Sequence, residues 1–338
     1  MKRIRIGHIG TLHDHSQGKL ECLKAYPDIF KIIGIVPESD EQYNKIKDIG
    51  TYKDIPRMSE DELFEKGVDA VIVESHEFEL VNAAQRWIDR GIPVHMDKPA
   101  GDDIVKFEKL LSSAKIKKTL QLAYMYRYNP EVIKILRLIK EGRLGEIYSV
   151  EAQMNCDHPA EKRQWLWQFK GGMMFYLGCH LIDLIVLLQA VPNEVIPLNT
   201  KTGIDGVDAE DFGMAILKYD NGVSFAKACS AEICGFARRQ LVVCGSKGTV
   251  ELKPFELFDE NWQTYTESVT VFKDEQIDWT KTGEKKRSES FGRYDAMMLD
   301  FAKMVRGEKE NPFSYEHELT SHKVILASCG FDIDYKNQ

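Results

Sequence analysis

Three short apolar runs, FKIIGIV (30–36), VDAVIVE (68–74) and IPVHMD (92–97), recur through the first hundred or so residues. None shows the polar alternation of a half-exposed strand, so each suits a strand buried on both faces of a parallel sheet. IRIGHI (4–9) precedes them as a first strand, and KTLQLAYMY (118–126) follows as a last one. The intervening segments carry helical punctuation. Ser59 stands three residues before Glu62 in SEDELFEKG, a capping-box pair, and EFELVNAAQRWIDRG stops on Gly91. KLECLKAYP and DDIVKFEKLLSSAKI also read as helices. Strands spaced by helices of this length predict an α/β, doubly wound parallel sheet over residues 1–122.

Beyond that point the pattern changes. Pro130 opens a helix, PEVIKILRLIKEG, closed by Gly142. EIYSVEAQMN reads as a strand, and FGMAILKYDNGVSFAKACSAE as a hairpin around Asp220-Asn221-Gly222. RRQLVVCGSKGTVEL is a second strand pair, GCHLIDLIVLLQ a buried helix, and two helices close the chain near 292–306 and 316–334. Residues 123–338 are therefore expected to form an α+β domain with an open, mainly antiparallel sheet. Such a face suits a homodimer or homotetramer. With 45 Lys and Arg against 53 Asp and Glu, a net charge of −8 argues against nucleic acid or an anionic membrane as partner. No run of about 18 apolar residues offers a membrane span. Seven cysteines without a C-x-x-C pair, and no apolar leader after Met1, point to the reducing cytoplasm.

GTLHDHSQG (10–18) lies where strand turns into helix, the order of a phosphate-binding loop. Gly10 supplies the turn, whereas Leu12 and His15 stand where G-x-G-x-x-G places its later glycines. In HMDKPAG, Lys98 falls at the carboxyl edge of the sheet, and Pro99 disfavours a helical Lys98 and opens the way to a cis bond. A lysine partly withdrawn from water there can serve as acid or base, against the plainer reading of a solvated loop residue beside Asp97. In GGMMFYLGCHLIDL, a helix begun at Phe175 sets Tyr176, His180 and Asp183 on one face. That makes a proton-transfer set, or an amphipathic helix with one buried histidine. His13 and His15, with Asp14 and near His76, form a loose metal-ligand pattern without diagnostic spacing. Binding of substrate or phosphate explains the pair more simply, and no metal is expected. Asp157 and His158 precede EKRQWLWQF, in which Trp165 and Trp167 offer an apolar platform for a sugar or belong to the core.

Taken in order, strand–Gly10–helix, DKP, YRYNP, GG…LGCHLID, LLQAVPNEV and CGSKGTVEL resemble the glucose–fructose oxidoreductase/inositol dehydrogenase/MocA (Gfo/Idh/MocA) family over nearly the whole chain. The resemblance implies a Rossmann-type dinucleotide-binding domain at 1–122 and a substrate and oligomerisation domain at 123–338. It implies NAD as cofactor, NADP as the alternative, and hydride transfer to or from a sugar, polyol or related hydroxylated small molecule. Lys98 matches the family's lysine, with Asp97 replacing glutamate, and His180 matches its histidine as acid/base. Arg127 and Asn129 match a segment lining the same cleft. Gly10, Thr11 and Leu12 would underlie the pyrophosphate, Glu38 the ribose, and Ser75 and His76 the nicotinamide side. Tyr176 departs from the family's aspartate, Asp183 supplying part of the missing charge, and Glu77 replaces the usual asparagine. With Leu12 and Pro37, these departures favour the alternative of a redox-inactive ligand-binding or regulatory protein.

Overall fold

Five parallel strands in the order β2-β1-β3-β4-β5 form the first sheet of the computed structural model, which describes residues 2–117, 119–275 and 283–336. They are β1 (Ile4–Ile9), β2 (Phe30–Val36), β3 (Ala70–Val73), β4 (Val94–Met96) and β5 (Leu120–Leu122). Every residue of β3, β4 and β5 is buried, including the polar His95 and Gln121, which hydrogen-bond to each other at 2.7 Å. The helices between them are α1 (Ser16–Ala25), α2 (Asp40–Ile46), α3 (Glu60–Glu65), α4 (Leu80–Asp89) and α5 (Ile104–Lys117). In α1 the buried stripe of Ser16, Lys19, Leu20 and Leu23 follows helical spacing, with a lysine among its members. The α3 capping box forms as expected: Ser59 Oγ accepts the Glu62 N–H at 3.2 Å, and Glu62 accepts the Ser59 N–H at 2.7 Å. Apolar spacing does not announce α2, which buries only Ile46 and is capped by Ser39.

The chain continues through α6 (Pro130–Lys140), β6 (Ile147–Asn155), α7 (Ala160–Trp165) and α8 (Cys179–Gln189). There follow β7 (Glu194–Pro197), β8 (Phe212–Tyr219), β9 (Gly222–Cys229), β10 (Gln240–Gly245) and β11 (Gly248–Leu252). A small ribbon, β12 (Leu257–Phe258) with β13 (Thr264–Tyr265), precedes β14 (Glu267–Phe272) and β15 (Lys285–Arg287). The larger sheet runs β15-β14-β11-β10-β6-β9-β8-β7 and is antiparallel except where β6 meets β9. β8 and β9 pair from Phe212↔Cys229 to Tyr219↔Gly222 across the expected two-residue turn. Nine of the eleven residues of α8 are buried, as its continuous hydrophobicity demands.

α9 (Asp295–Val305) and α10 (Tyr315–Ser328) complete the chain. The contacts divide it into two compact units, Met1–Met125 with Tyr294–Leu319, and Tyr126–Arg293 with Thr320–Gln338. The return of 294–319 to the first unit has visible anchors: Tyr26 Oη donates to Asp295 at 2.7 Å, and Gln121 Nε2 to the Met297 carbonyl at 3.3 Å. Met297, Met298 and Phe301 of α9 are buried. The chain leaves this unit after Met125, close to the expected boundary at 122, but residues 294–319 belong to the first unit rather than to the expected 123–338 domain, and no local signal marks that return. Among the described residues no helix is long and apolar enough to cross a membrane.

Gly10 sits between β1 and α1 at φ +76°, and a Cβ there would lie 2.5 Å from Ser75 Cα and 2.6 Å from Ser75 N. Left-handed backbone and a collision with main chain act together. Gly10→Ala is therefore expected to lower the first unit's stability by roughly 2 kcal/mol or more. Its melting temperature would fall by about 5 °C or more, read by thermal unfolding.

Candidate functional site

At the carboxyl ends of β1, β3 and β4 the first unit buries a cluster of charge. Lys19, on the inward stripe of α1, is fully buried and places its ammonium 2.8 Å from Glu74 Oε1 and 2.6 Å from Asp97 Oδ2. Burial opposes its charge, but Asp97 and Glu74 outweigh that and raise its pKa. Burial, with the Asp97 charge alongside, pushes Glu74 well above the carboxylate range. Burial also works against ionisation of Asp97, yet His13, Lys19 and His15 beside it hold its carboxyl well below the usual range. The two carboxyls are thus pushed in opposite directions around one lysine.

Asp97 in turn positions what surrounds it. Its Oδ1 accepts the Lys98 N–H at 2.7 Å, and both its oxygens lie 3.2 Å from His15 Nδ1, which donates to the ionised group. His13 Nδ1 lies 3.2 Å from both the His15 backbone nitrogen and Asp97 Oδ2, and its Nε2 lies 3.0 Å from the Lys98 carbonyl. Lys98 is buried at 3% exposure, and the Lys98–Pro99 peptide is cis. Both His13 and His15 therefore lie at the sheet edge in polar company, His15 only partly covered. His13, His15 and Asp97 bring candidate metal-ligand atoms within 4.8 Å of one another. Lys19 lies 2.6 Å from the same Asp97 oxygen, Oδ2.

The remaining expected residues of this unit fall around the β1–α1 turn and the end of β3. Thr11 and exposed Leu12 direct their amides to Glu38, which bonds to the loop itself. Ser75 is buried against Gly10, and His76 Nδ1 lies 3.7 Å from buried Glu77. Glu77 Oε1 is 3.9 Å from His13 Nε2. Lys19 and Glu74 escaped the sequence reading. Their signal was a lysine on an apolar helical stripe and an acid ending a buried strand.

In the second unit, Arg127 and Asp183 are each other's partners: Nε and an Nη meet the two carboxylate oxygens at 2.9 and 2.5 Å, wholly buried. The aspartate expected to assist His180, and the arginine expected to line a cleft, thus form a two-pronged ion pair. Asn129 caps α6 through the Glu131 N–H and donates to Thr266. Met174–Gly178 is wound as a π-helix, which alters the side-chain register ahead of α8. The Tyr176 ring meets Trp165 edge-on and lies parallel to Phe169, with the Lys162 ammonium over both Trp165 and Tyr176. Buried His180 meets Tyr126 edge-on at 4.8 Å. Burial pushes Tyr126 up to about 12, while Arg293 and Arg239 overcome burial and hold its partner Glu256 near 2. Asp157 is exposed and bridges to Ala231, and the His158 carbonyl accepts from Arg163.

Comparison with known proteins adds a family signal. Residues 132–251 match the GFO/IDH/MocA C-terminal domain. Over 130 residues, 38% of this chain, 29% are identical to the uncharacterized oxidoreductase YhhX of Escherichia coli strain K12. The chain spans about 37% of the length of the curated relatives it matches. Its fold is that of a putative NADPH-dependent oxidoreductase from Desulfitobacterium hafniense (TM-score 0.79, 14% identity, 98% and 95% of the two chains). It is likewise that of the WlbA dehydrogenase from Bordetella pertussis, solved with NADH and UDP-GlcNAcA (TM-score 0.74, 17% identity, 97% of each chain).

Two outcomes follow for stability. Lys19→Met leaves the Asp97 charge buried without its cation and is expected to cost about 3–5 kcal/mol in chemical denaturation. Burial also lowers His8 to about 4, His95 to about 3, and His13 well below its ordinary value. The unfolded chain takes up these protons near pH 6.5, so stability is complete above that and falls as pH drops towards the folded values. Each ring removes up to about 1.4 kcal/mol per pH unit. Melting temperatures between pH 7 and 4.5 should decline, less steeply in His95→Gln.

Proposed function

We propose that the chain, which matches the GFO/IDH/MocA C-terminal domain over residues 132–251, is a Gfo/Idh/MocA-type nicotinamide-dependent oxidoreductase acting on a sugar, polyol or related hydroxylated small molecule. The observation that carries the reading is Lys98, buried at the carboxyl end of β4 with its backbone held by an ionised aspartate. Ligands of doubly wound sheets bind at that edge. The WlbA dehydrogenase, similar in fold, is seen with NADH and a nucleotide sugar. The Thr11 and Leu12 amides suit a dinucleotide's phosphate because they converge on an anion, the carboxylate of Glu38. Gly10, Ser75 and His76 border the same turn and strand end in this reading. A nicotinamide held there would supply or accept the hydride.

The chain's own residues then manage the proton and the oxygen. The Lys98 ammonium donates a hydrogen bond to the reacting oxygen, favouring the alkoxide-like charge that develops as C–H and O–H bonds are exchanged for a carbonyl. In oxidation the hydroxyl proton passes to the His180 imidazole, and in reduction it returns. Tyr176 orients substrate through its phenol, with Lys162 steadying the ring. Asp183 acts by keeping Arg127 in place, one step removed from the chemistry. His13, His15, Asp157, His158 and Trp165 remain candidates for contacts to substrate hydroxyls. A second reading, a binding protein without turnover, draws support from Glu38 filling the phosphate seat.

Fluorescence titration with NADH and NADPH, followed by turnover assays on a panel of sugars and polyols, tests the proposal. Lys98→Ala and His180→Ala are each expected to slow turnover by roughly 100-fold while leaving nucleotide affinity within a few-fold of wild type. Nucleotide binding with no turnover of any panel member would favour the second reading. Wild-type rates in both variants would refute the roles assigned.

A further inference from the structure

The turn between β1 and α1 already holds an anion of the chain's own. Glu38 Oε1 accepts the Thr11 N–H at 2.8 Å and the Leu12 N–H at 3.2 Å, and Oε2 accepts the Thr11 hydroxyl at 3.0 Å. Gln42, from the first turn of α2, donates to Thr11 Oγ1 at 3.1 Å and fixes that hydroxyl. Farther along the turn, the His13 N–H is taken by the Glu74 carbonyl, the His15 N–H by His13 Nδ1, and the Ser16 N–H by the His13 carbonyl. Much of what a strand–turn–helix offers to a phosphate is thus spoken for.

Two amides and a hydroxyl converging on one carboxylate make a seat that fits phosphate oxygens equally well, since both anions ask for the same donors. Glu38 is itself exposed, so its carboxylate regains water readily when it swings out. While it stays, a phosphate beside it faces a like charge as well as occupied donors. We propose that Glu38 is a built-in competitor for phosphate at this turn. A phosphate-bearing ligand must displace its carboxylate to reach Thr11 and Leu12, and the residue thereby sets the affinity for that ligand. The identity of that ligand as a nicotinamide dinucleotide rests on the function proposed above; the competition does not. A glutamate that instead served the ribose hydroxyls would act with the opposite sign.

The test uses the full chain, wild type, Glu38→Gln and Glu38→Ala, titrated calorimetrically with two probes, inorganic pyrophosphate and NADH. Binding at the turn is read from the Thr11 and Leu12 amide resonances, and equal melting temperatures establish that the variants fold. Removing a competitor that occupies its seat most of the time is expected to tighten pyrophosphate about tenfold or more in Glu38→Ala, with Glu38→Gln in between. The pyrophosphate arm decides the inference: equal, weaker or absent binding in Glu38→Ala overturns it. The NADH arm decides the cofactor reading. Tighter pyrophosphate with no NADH binding by any of the three proteins upholds the competitor and refutes the nicotinamide. NADH bound by wild type and lost in Glu38→Ala, without a pyrophosphate gain, does the reverse.

Discussion

The ammonium of Lys19 is the tie on which the first unit's ligand edge depends. From α1 it reaches Glu74, just past β3, and Asp97, just past β4, so that one cation links the first crossover to the ends of two further strands. A buried charge is costly unless its partners close around it, and here one lysine faces two carboxyls at once. Asp97 passes the constraint outward to His15 and to the backbone of Lys98. The Glu74 carbonyl passes it to the turn through His13. A residue remote from any expected chemistry thus governs where the expected chemistry sits.

Much of the architecture was legible for a simple reason. Strands buried on both faces must be apolar throughout, and turns must carry residues that accept their backbone angles. β2 matches its predicted span, the β8–β9 hairpin turns where Asp220-Asn221-Gly222 stands, and α6 begins at Pro130. What stayed hidden lacks a local pattern. α2 buries a single residue, and Lys19 reads as a surface lysine until its carboxyl partners, more than fifty residues away, are known. Glu38 carries the right charge in the right place, but its hydrogen bonds to the loop amides are a fact of three dimensions. The π-helical turn before α8 carries no local pattern of its own in the sequence.

The YRYNP segment shows how a motif singled out for a cleft can be occupied with holding its own unit together. Tyr126 belongs to a buried network with Glu256, Arg239 and Arg293, Arg127 to the pair with Asp183, and Asn129 to the start of α6. Three of its five residues thereby join a short helical turn to the segment just before β12, a buried helix and the helix that follows. Such economy makes function hard to separate from scaffold by substitution at these positions, and it explains why Lys98 and His180 carry the functional argument instead.

The return of residues 294–319 to the first unit sets an order on synthesis. A ribosome adding about 5–20 residues per second needs on the order of ten to thirty seconds to pass from Met125 to Tyr294. Until then the nascent first unit lacks Met297, Met298 and Phe301, and the groups that await them, Tyr26 and Gln121 among them, are uncovered. The amino-terminal unit is therefore finished late, and a chaperone that binds exposed apolar surface finds its client in the half of the molecule made first.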